Sequence, residues 1–552
     1  MTRKTKNILF IMFDQLRWDY LSCAGHPHLH TPNIDALAAK GVRFSRTYVQ
    51  SPICGSSRMS TYTGRYCHSH GATWNAYPLK VGEMTLGDHL RPLGMETWLV
   101  GKTHMRADVD GMERLGLDTG SIIGARVAEC GFDVFERDDG MKPEGPDGSY
   151  DPDGAAVYND YLRAQGYDSE NPWHDFANSG REENGDLASG WFLKNAEKPA
   201  AIAEEHSETP YMTRRAMDFI KSRDDKPWLC HLSYIKPHWP YIVPAPYHNM
   251  YGHNHMLPVV RTEAEREDPH PIHNAFMQGQ VGKAFSRDEV RNVVVPAYMG
   301  LIKQCDDQLG VLFNWLEETG RMDDTMIVVT SDHGDYLGDH WLGEKNLFHD
   351  CSAKVPLIIY DPSPEADAAR GTVCDELVES IDLAATFVEA AGGEVPTHIL
   401  EGRSLAPFIR GETPTKWRDF AISEYDYSSL PIAEKMGKSP SEARLFMIAD
   451  KRWKFMHAEG LLPQLFDLEN DPDELVDLAK DPSSEGVIAM MYERLAVWAR
   501  RQSQRTTLSD QDIKNMKGKS LRTGITLGVY EESDIPLELT KYYRHKSPRK
   551  SN

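Results

Sequence analysis

Four short apolar runs punctuate the chain, and each ends in polar residues. Ile8-Leu9-Phe10-Ile11-Met12-Phe13 leads into Asp14-Gln15, and Thr97-Trp98-Leu99-Val100 into Gly101-Lys102-Thr103-His104. Trp228-Leu229-Cys230-His231-Leu232-Ser233-Tyr234 leads to Lys236-Pro237-His238, and Met326-Ile327-Val328-Val329-Thr330 into Ser331-Asp332-His333-Gly334. Continuous apolar runs of this length, without polar alternation, predict strands buried on both faces, as in a parallel sheet. Helical patterns separate them at Pro32–Lys40, with Thr31 as its cap, at Thr213–Ser222 and at Val295–Glu318. Strands alternating with helices predict an α/β architecture around a mostly parallel sheet. Ligands of such sheets sit outside the carboxyl ends of the strands, so the four polar clusters are expected to converge on one crevice.

Residues 105–200 are rich in Gly, Asp, Asn and Glu, and read as long insertions with little regular structure that form a substrate pocket. From about Pro414 the texture changes. Ala421–Glu424, Leu445–Ile448 and Trp453–Met456 read as short strands. Val487–Arg501 carries a helical stripe of Val487, Met490, Met491, Leu495 and Trp498. The expected organisation is an α/β domain over 1–413, a smaller α+β domain over 414–501, and an extended polar tail over 502–552. Within that tail Ile525, Leu527, Val529 and Tyr530 form an apolar alternation. It predicts packing against a neighbouring subunit in a homo-oligomer, a dimer or tetramer.

The 552 residues, 40% of them hydrophobic, are enough for a substantial core. The net charge of -22 argues against a nucleic-acid partner. It also requires any anion site to carry its own positive charge, because the global field opposes the approach of an anion. Eight scattered cysteines without a CxxC pair are not a disulfide framework or a zinc ribbon, and point to a reducing compartment. The apolar run after the N-terminal Thr-Arg-Lys-Thr-Lys is too short for a signal peptide. No stretch approaches the ~20 apolar residues that span a membrane. The expectation is a soluble, cytoplasmic protein without a membrane partner.

Cys54-Gly55-Ser56-Ser57-Arg58, continuing to Thr63-Gly64-Arg65, follows Pro52 and reads as a helix start. A group there faces the positive end of the helix dipole, which favours anions, and Arg58 can share its face. This stretch resembles the signature of the sulfatases, a family of the alkaline phosphatase superfamily, and the other clusters fit the family's motifs in order. Asp14-Gln15 and Ser331-Asp332-His333-Gly334 resemble its two metal pairs. Gly101-Lys102-Thr103-His104, Lys236-Pro237-His238 and Lys345 resemble its remaining site motifs. Leu465-Phe466-Asp467-Leu468-Glu469-Asn470-Asp471-Pro472-Asp473-Glu474 resembles a recurrent segment of its C-terminal domain. Six motifs in the right order, over about residues 7 to 480, make the resemblance specific. Two positions depart from it: Ser56 stands where the family usually has Pro or Ala, and Gln15 where many members carry a second Asp.

The resemblance implies an alkaline-phosphatase-like three-layer sandwich, and a hydrolase of small anionic esters whose nucleophile is formylglycine made from Cys54 by a separate maturation enzyme. It implies one divalent ion, calcium or manganese, held by Asp14, Gln15, residue 54, Asp332 and His333; mostly oxygen ligands suit such an ion. Arg58 and Lys102 would hold the nucleophile, and Lys102 would also touch the sulfate. His104 would help eliminate sulfate, His238 would protonate the leaving oxygen, and Lys345 would bind the sulfate or the bridging oxygen. Asn75 is a further candidate for substrate contact. Phosphonate monoester hydrolases and phosphodiesterases on the same scaffold share the Asp-Gln pair, but are expected to carry neutral residues in place of Lys102 and His104. Sulfate monoesters, as in an arylsulfatase, are therefore the expected substrates, with phosphonate monoesters the alternative. A non-catalytic anion-binding protein is the reading if Cys54 stays a thiol. His68 and His70 read as structural, and the tract His26, His28, His30 as a surface loop; His340 and His349 flank Lys345 without an assigned role.

Overall fold

The structure, a computed structural model, describes residues 5–75, 77–118, 121, 124, 126, 130–140, 157–223, 225–501, 507–516, 529–535 and 537. The expected apolar residues Ile525 and Leu527 of the tail lie outside the described residues.

The four apolar runs form strands β1 (Asn7–Asp14), β3 (Glu96–Gly101), β7 (Trp228–Pro237) and β8 (Thr325–Ser331). With β2 (Val42–Tyr48), β4 (Asp133–Arg137), β9 (Lys354–Tyr360) and β10 (Thr372–Glu379) they build one sheet, in the order β10-β2-β9-β8-β1-β7-β3-β4. Every pairing is parallel except those of β9, which runs against both β8 and β2. β1 lies between β8 and β7, and every residue of it is buried. Leu9, Ile11 and Phe13 enter the core on one face, and Ile8, Phe10 and Met12 the core on the other. Both faces are apolar, which is why the run shows no alternation.

Helices Pro32–Lys40, Glu208–Lys221 and Asp288–Glu318 cover the first face, and Cys54–Thr63 and Asp382–Ala390 the second, giving the expected three layers. Thr31 does not cap its helix through its side chain. Asp306, from the long helix, does so instead, accepting from Asn33 N at 3.1 Å and Ile34 N at 2.9 Å. The long helix also starts earlier than the pattern predicts. It runs through Pro296, whose neighbours Val294, Val295 and Ala297 are all buried, so packing offsets the lost backbone bond.

The segment 105–200 holds more regular structure than its composition predicts: helices Val109–Leu115 and Val157–Ala164, the edge strand β4, and a small hairpin of β5 (Ser179–Arg181) and β6 (Leu187–Ser189). Near the C-terminus an antiparallel sheet, β11 (Ala421–Asp426), β12 (Arg444–Ala449), β13 (Trp453–Ala458) and β14 (Gln464–Asp467), packs against helix Glu485–Ala499. Met491, Leu495 and Trp498 of that helix are buried as expected, whereas Met490 is exposed. The eight cysteines are free thiols. Among the described residues no helix is long and apolar enough to cross a membrane.

Candidate active site

Parallel strands carry the polar residues that follow them to one edge of the sheet. Asp14 ends β1, Asp332 and His333 follow β8, Lys102 follows β3, and His238 follows β7. Helix Cys54–Thr63 is buried along its whole length and points its first residue at the same edge. Ile53 offers no side-chain cap there; Asn75 Oδ1 accepts from Gly55 N at 2.8 Å instead. Asn75, expected as a substrate contact, thus braces the backbone beside Cys54. Ser57 Oγ donates to Asp332 O at 2.6 Å, tying the helix to the end of β8.

One atom each from Asp14, Cys54, Asp332 and His333 lies within 4.8 Å of all the others, and all four residues are buried. Ligands ~2.0–2.6 Å from one ion fall within such a span, so the set fits a single divalent cation. His333 Nδ1 bonds to Gly334 O at 2.8 Å, leaving Nε2 to face Cys54 Sγ at 3.0 Å and Asp14 Oδ1 at 3.5 Å. Gln15 brings its Oε1 to the same place, 3.3 Å from Lys345 Nζ. The thiol of Cys54, buried and free, completes the cluster.

Positive groups surround this cluster. Arg58 Nε donates to Asp332 Oδ2 at 2.8 Å, its Nη2 to Asp14 Oδ2 at 3.3 Å, and its Nη1 to Ser233 Oγ at 2.7 Å. Lys102 Nζ lies 2.6 Å from Asp14 Oδ2. Lys345 Nζ donates to Cys54 Sγ at 3.0 Å and lies 3.1 Å from His238 Nε2. Burial and the Cys54 sulfur push the Asp14 carboxyl up, yet Lys102, His238 and Arg58 outweigh them and hold it far below the usual range. Burial likewise raises the Cys54 thiol, but Lys345 and His333, with hydrogen bonds from His104 and His238, take it well below an ordinary cysteine. Burial lowers His238 to about 4, against the pull of Asp14. The site therefore carries its own positive charge inside an acidic protein, as an anion site there requires.

His104 takes a left-handed backbone, φ 53°, with its N donating to Asp139 Oδ1 at 2.7 Å. Its Nδ1 is buried without a hydrogen-bond partner. The ten other candidate residues thus gather around Cys54, with Asn75 in a bracing position. Of the histidines set aside, His70 bonds Ser60 Oγ, His68 pairs with Glu424, and His26 accepts from the backbone of Leu29. His340 pairs with Glu265 and stacks on His349, their ring centroids 3.9 Å apart. Sequence reasoning missed Ser233, Tyr241, Asp335 and Asp139. Asp335 directly follows the Asp-His-Gly motif and Tyr241 stands three residues past His238, but neither proximity alone marks a contact.

The chain matches a family model described as Sulfatase over residues 6–393, and a second, described as N-sulphoglucosamine sulphohydrolase, C-terminal, over residues 338–501. It is 32% identical to the multifunctional alkaline phosphatase superfamily protein PehA of Trinickia caryophylli, over 92% of this chain and 97% of that one. It is 28% identical to an arylsulfatase of Clostridium perfringens, over 86% of this chain and 90% of the relative. Among solved structures, the phosphonate monoester hydrolase SpPMH of Silicibacter pomeroyi superposes with a TM-score of 0.77 at 28% identity, covering 91% of this chain and 97% of that one.

Proposed function

The chain belongs to the sulfatase family, and on that premise we propose that it hydrolyses sulfate monoesters, with Cys54 converted to formylglycine as the nucleophile and one divalent ion bound beside it. The observation that carries this reading is the placing of Lys102 and His104. Lys102 Nζ sits 2.6 Å from Asp14 Oδ2, and the His104 backbone carbonyl lies against Gly55, the neighbour of Cys54. These are the two positions at which phosphonate-cleaving relatives are expected to be neutral.

Asp14, Asp332, His333 and Gln15 Oε1 would hold the ion with residue 54. The ion supplies the charge that lowers the pKa of a hydroxyl on that residue. A hydrated aldehyde has two hydroxyls on one carbon: one attacks sulfur, and the other re-forms the carbonyl as sulfate leaves, so no water need attack sulfur. The protein's own groups divide the remaining work. Arg58 fixes the two metal-binding carboxylates and Lys102 neutralises Asp14. Lys345 and Lys102 offer charge to the non-bridging oxygens. His238, with Nδ1 engaged by Trp239 O at 2.7 Å, presents Nε2 to the leaving oxygen. A bound sulfate ester brings negative charge beside that imidazole and favours its protonated form. His104 accepts the proton that releases sulfate. Calcium and manganese both suit the donor set.

A second reading, phosphonate monoester hydrolysis at the same site, is favoured by the 32% identity to a multifunctional relative and the superposition on a phosphonate monoester hydrolase. The two are separated by specificity constants for an aryl sulfate and a phenyl phosphonate ester, on protein shown by mass to be fully converted at residue 54. The sulfate is expected to be preferred. Preference for the phosphonate would make the second reading correct, and an unmodified Cys54 thiol in the purified protein would leave an anion-binding protein.

A further inference from the structure

Gln15 stands where a second acidic ligand is common, and the packing around its amide gives a reason. Its backbone is pinned at both ends: Gln15 N donates to Asp332 Oδ1 at 3.0 Å, and Tyr298 OH donates to Gln15 O at 2.6 Å. The residue has φ 70°, unusual for a side chain other than glycine. Its Nε2 donates to Tyr241 OH at 3.0 Å and to Asp335 Oδ2. Tyr241 OH itself donates to Asp335 Oδ2 at 2.6 Å, while Asp335 Oδ1 accepts from Leu337 N at 2.9 Å. Both Gln15 and Asp335 are fully buried, and Tyr241 is only 2% exposed. On the other side of the amide, Oε1 accepts from Lys345 Nζ. Turning the amide over would set its oxygen against a carboxylate and its NH2 against an ammonium. The neighbours therefore permit one orientation, with Oε1 toward the metal-ligand cluster.

We propose that Asp335, acting with Tyr241, is a positioning residue that fixes the Gln15 amide with its oxygen toward the metal site, and that the Asp335 carboxylate is what requires a neutral residue at position 15. An acid at 15 would place a second carboxylate oxygen against Asp335 Oδ2 in a buried setting, where like charges repel strongly. Asp335 thus belongs to the layer of groups that orient a ligand without touching the ion, and loss of such a partner costs about 10–100-fold in metal affinity. The inference rests on the reading of Asp14, Gln15, Asp332 and His333 as a metal site.

The test is the affinity for Ca2+ and Mn2+, by calorimetry with chelator competition, of the wild type, Asp335→Asn, Gln15→Glu, Gln15→Glu/Asp335→Asn and Tyr241→Phe. Each of the first two single variants is expected to bind at least about tenfold more weakly. In the double variant the amide introduced at position 335 can donate to the carboxylate introduced at position 15, so affinity is expected to return to within about threefold of wild type. A contact that merely supports the fold predicts additive losses instead. Additive losses, or single variants that bind like wild type, would overturn the proposal. Tyr241→Phe removes a single hydroxyl and keeps the core filled, so it tests the same network if the acidic variants fold poorly. Unchanged affinity in that variant would count against the proposal. Failure of the wild type to bind either ion would instead sink the metal-site reading itself.

Discussion

Lys102 Nζ meets Asp14 Oδ2 at 2.6 Å, joining the end of β3 to the end of β1 across the intervening β7, with neither side chain more than 5% exposed. The ammonium neutralises a carboxylate that would otherwise be forced toward its protonated form by burial. Lys102→Ala is expected to lower the specificity constant for an aryl sulfate by ~10²–10³-fold, the usual loss for one preorganised electrostatic donor. An unchanged sulfate rate in that variant would remove Lys102 from the machinery.

Asp14 and Asp332 end neighbouring strands and share the guanidinium of Arg58. Asp14→Ala should abolish both activity and stoichiometric metal, read by elemental analysis after dialysis. Full activity in metal-free Asp14→Ala protein would mean that these residues are not the metal site.

Cys54 Sγ is buried among Lys345, His333 and Asp14, with Ser56 at the motif position usually held by Pro or Ala. Intact-protein mass is expected to show a species about 18 Da below the unmodified chain, the change from cysteine to formylglycine. Cys54→Ala should lose turnover while its circular dichroism and melting profile stay those of the parent. Wild-type turnover by Cys54→Ala would exclude residue 54 as the nucleophile.

The small sheet is tied to the catalytic one by a buried charge. Lys454 Nζ, fully buried on β13, contacts Asp350 Oδ1 and Glu474 Oε1, both at 2.6 Å, and donates to Phe348 O at 3.1 Å. Lys454→Met leaves Glu474 without this cation and Asp350 with only Lys354, 3.4 Å away, and is expected to destabilise the fold by about 3–5 kcal/mol, measured by urea unfolding. Although burial raises the Asp350 carboxyl, Lys454 and Lys354 hold it well below its ordinary value. A depressed acid contributes stability above its unfolded pKa of about 4 and loses it as pH falls toward the folded value. The acid side of the stability profile should therefore flatten in Lys454→Met. A variant as stable as the parent would show that the network does not hold the two parts together.

In the described part of the tail Ile535 is buried, whereas Tyr530 is 92% and Leu537 85% exposed. Sedimentation at micromolar concentration is expected to give a dimer or tetramer, and truncation after Arg501 a smaller species. A monomeric full-length chain would refute a role for the tail in assembly.

Much of this architecture was legible in the chain. The runs at 8–13, 97–100, 228–234 and 326–330 had to be strands covered on both faces, because only a doubly covered sheet tolerates such unbroken apolar stretches. The polar residues closing each run then had to share one edge, because parallel strands end on the same side. That places Asp14, Lys102, His238, Asp332 and His333 together before any coordinate is known. What the chain alone left open depends on which side chains meet across long separations. The cap of helix Pro32–Lys40 comes from Asp306, 273 residues from Asn33, and the helix read from Val295 starts at Asp288, because the surrounding core carries it through Pro296. Asn75 braces the start of the Cys54 helix because Gly55 N finds its acceptor there. Gln15 looks like a departure until Asp335, 320 residues away, accepts from its amide. Local periodicity reports how each segment is covered. Hydrogen-bond complementarity between buried groups is settled only when the segments pack, because a buried donor must find an acceptor wherever the fold supplies one.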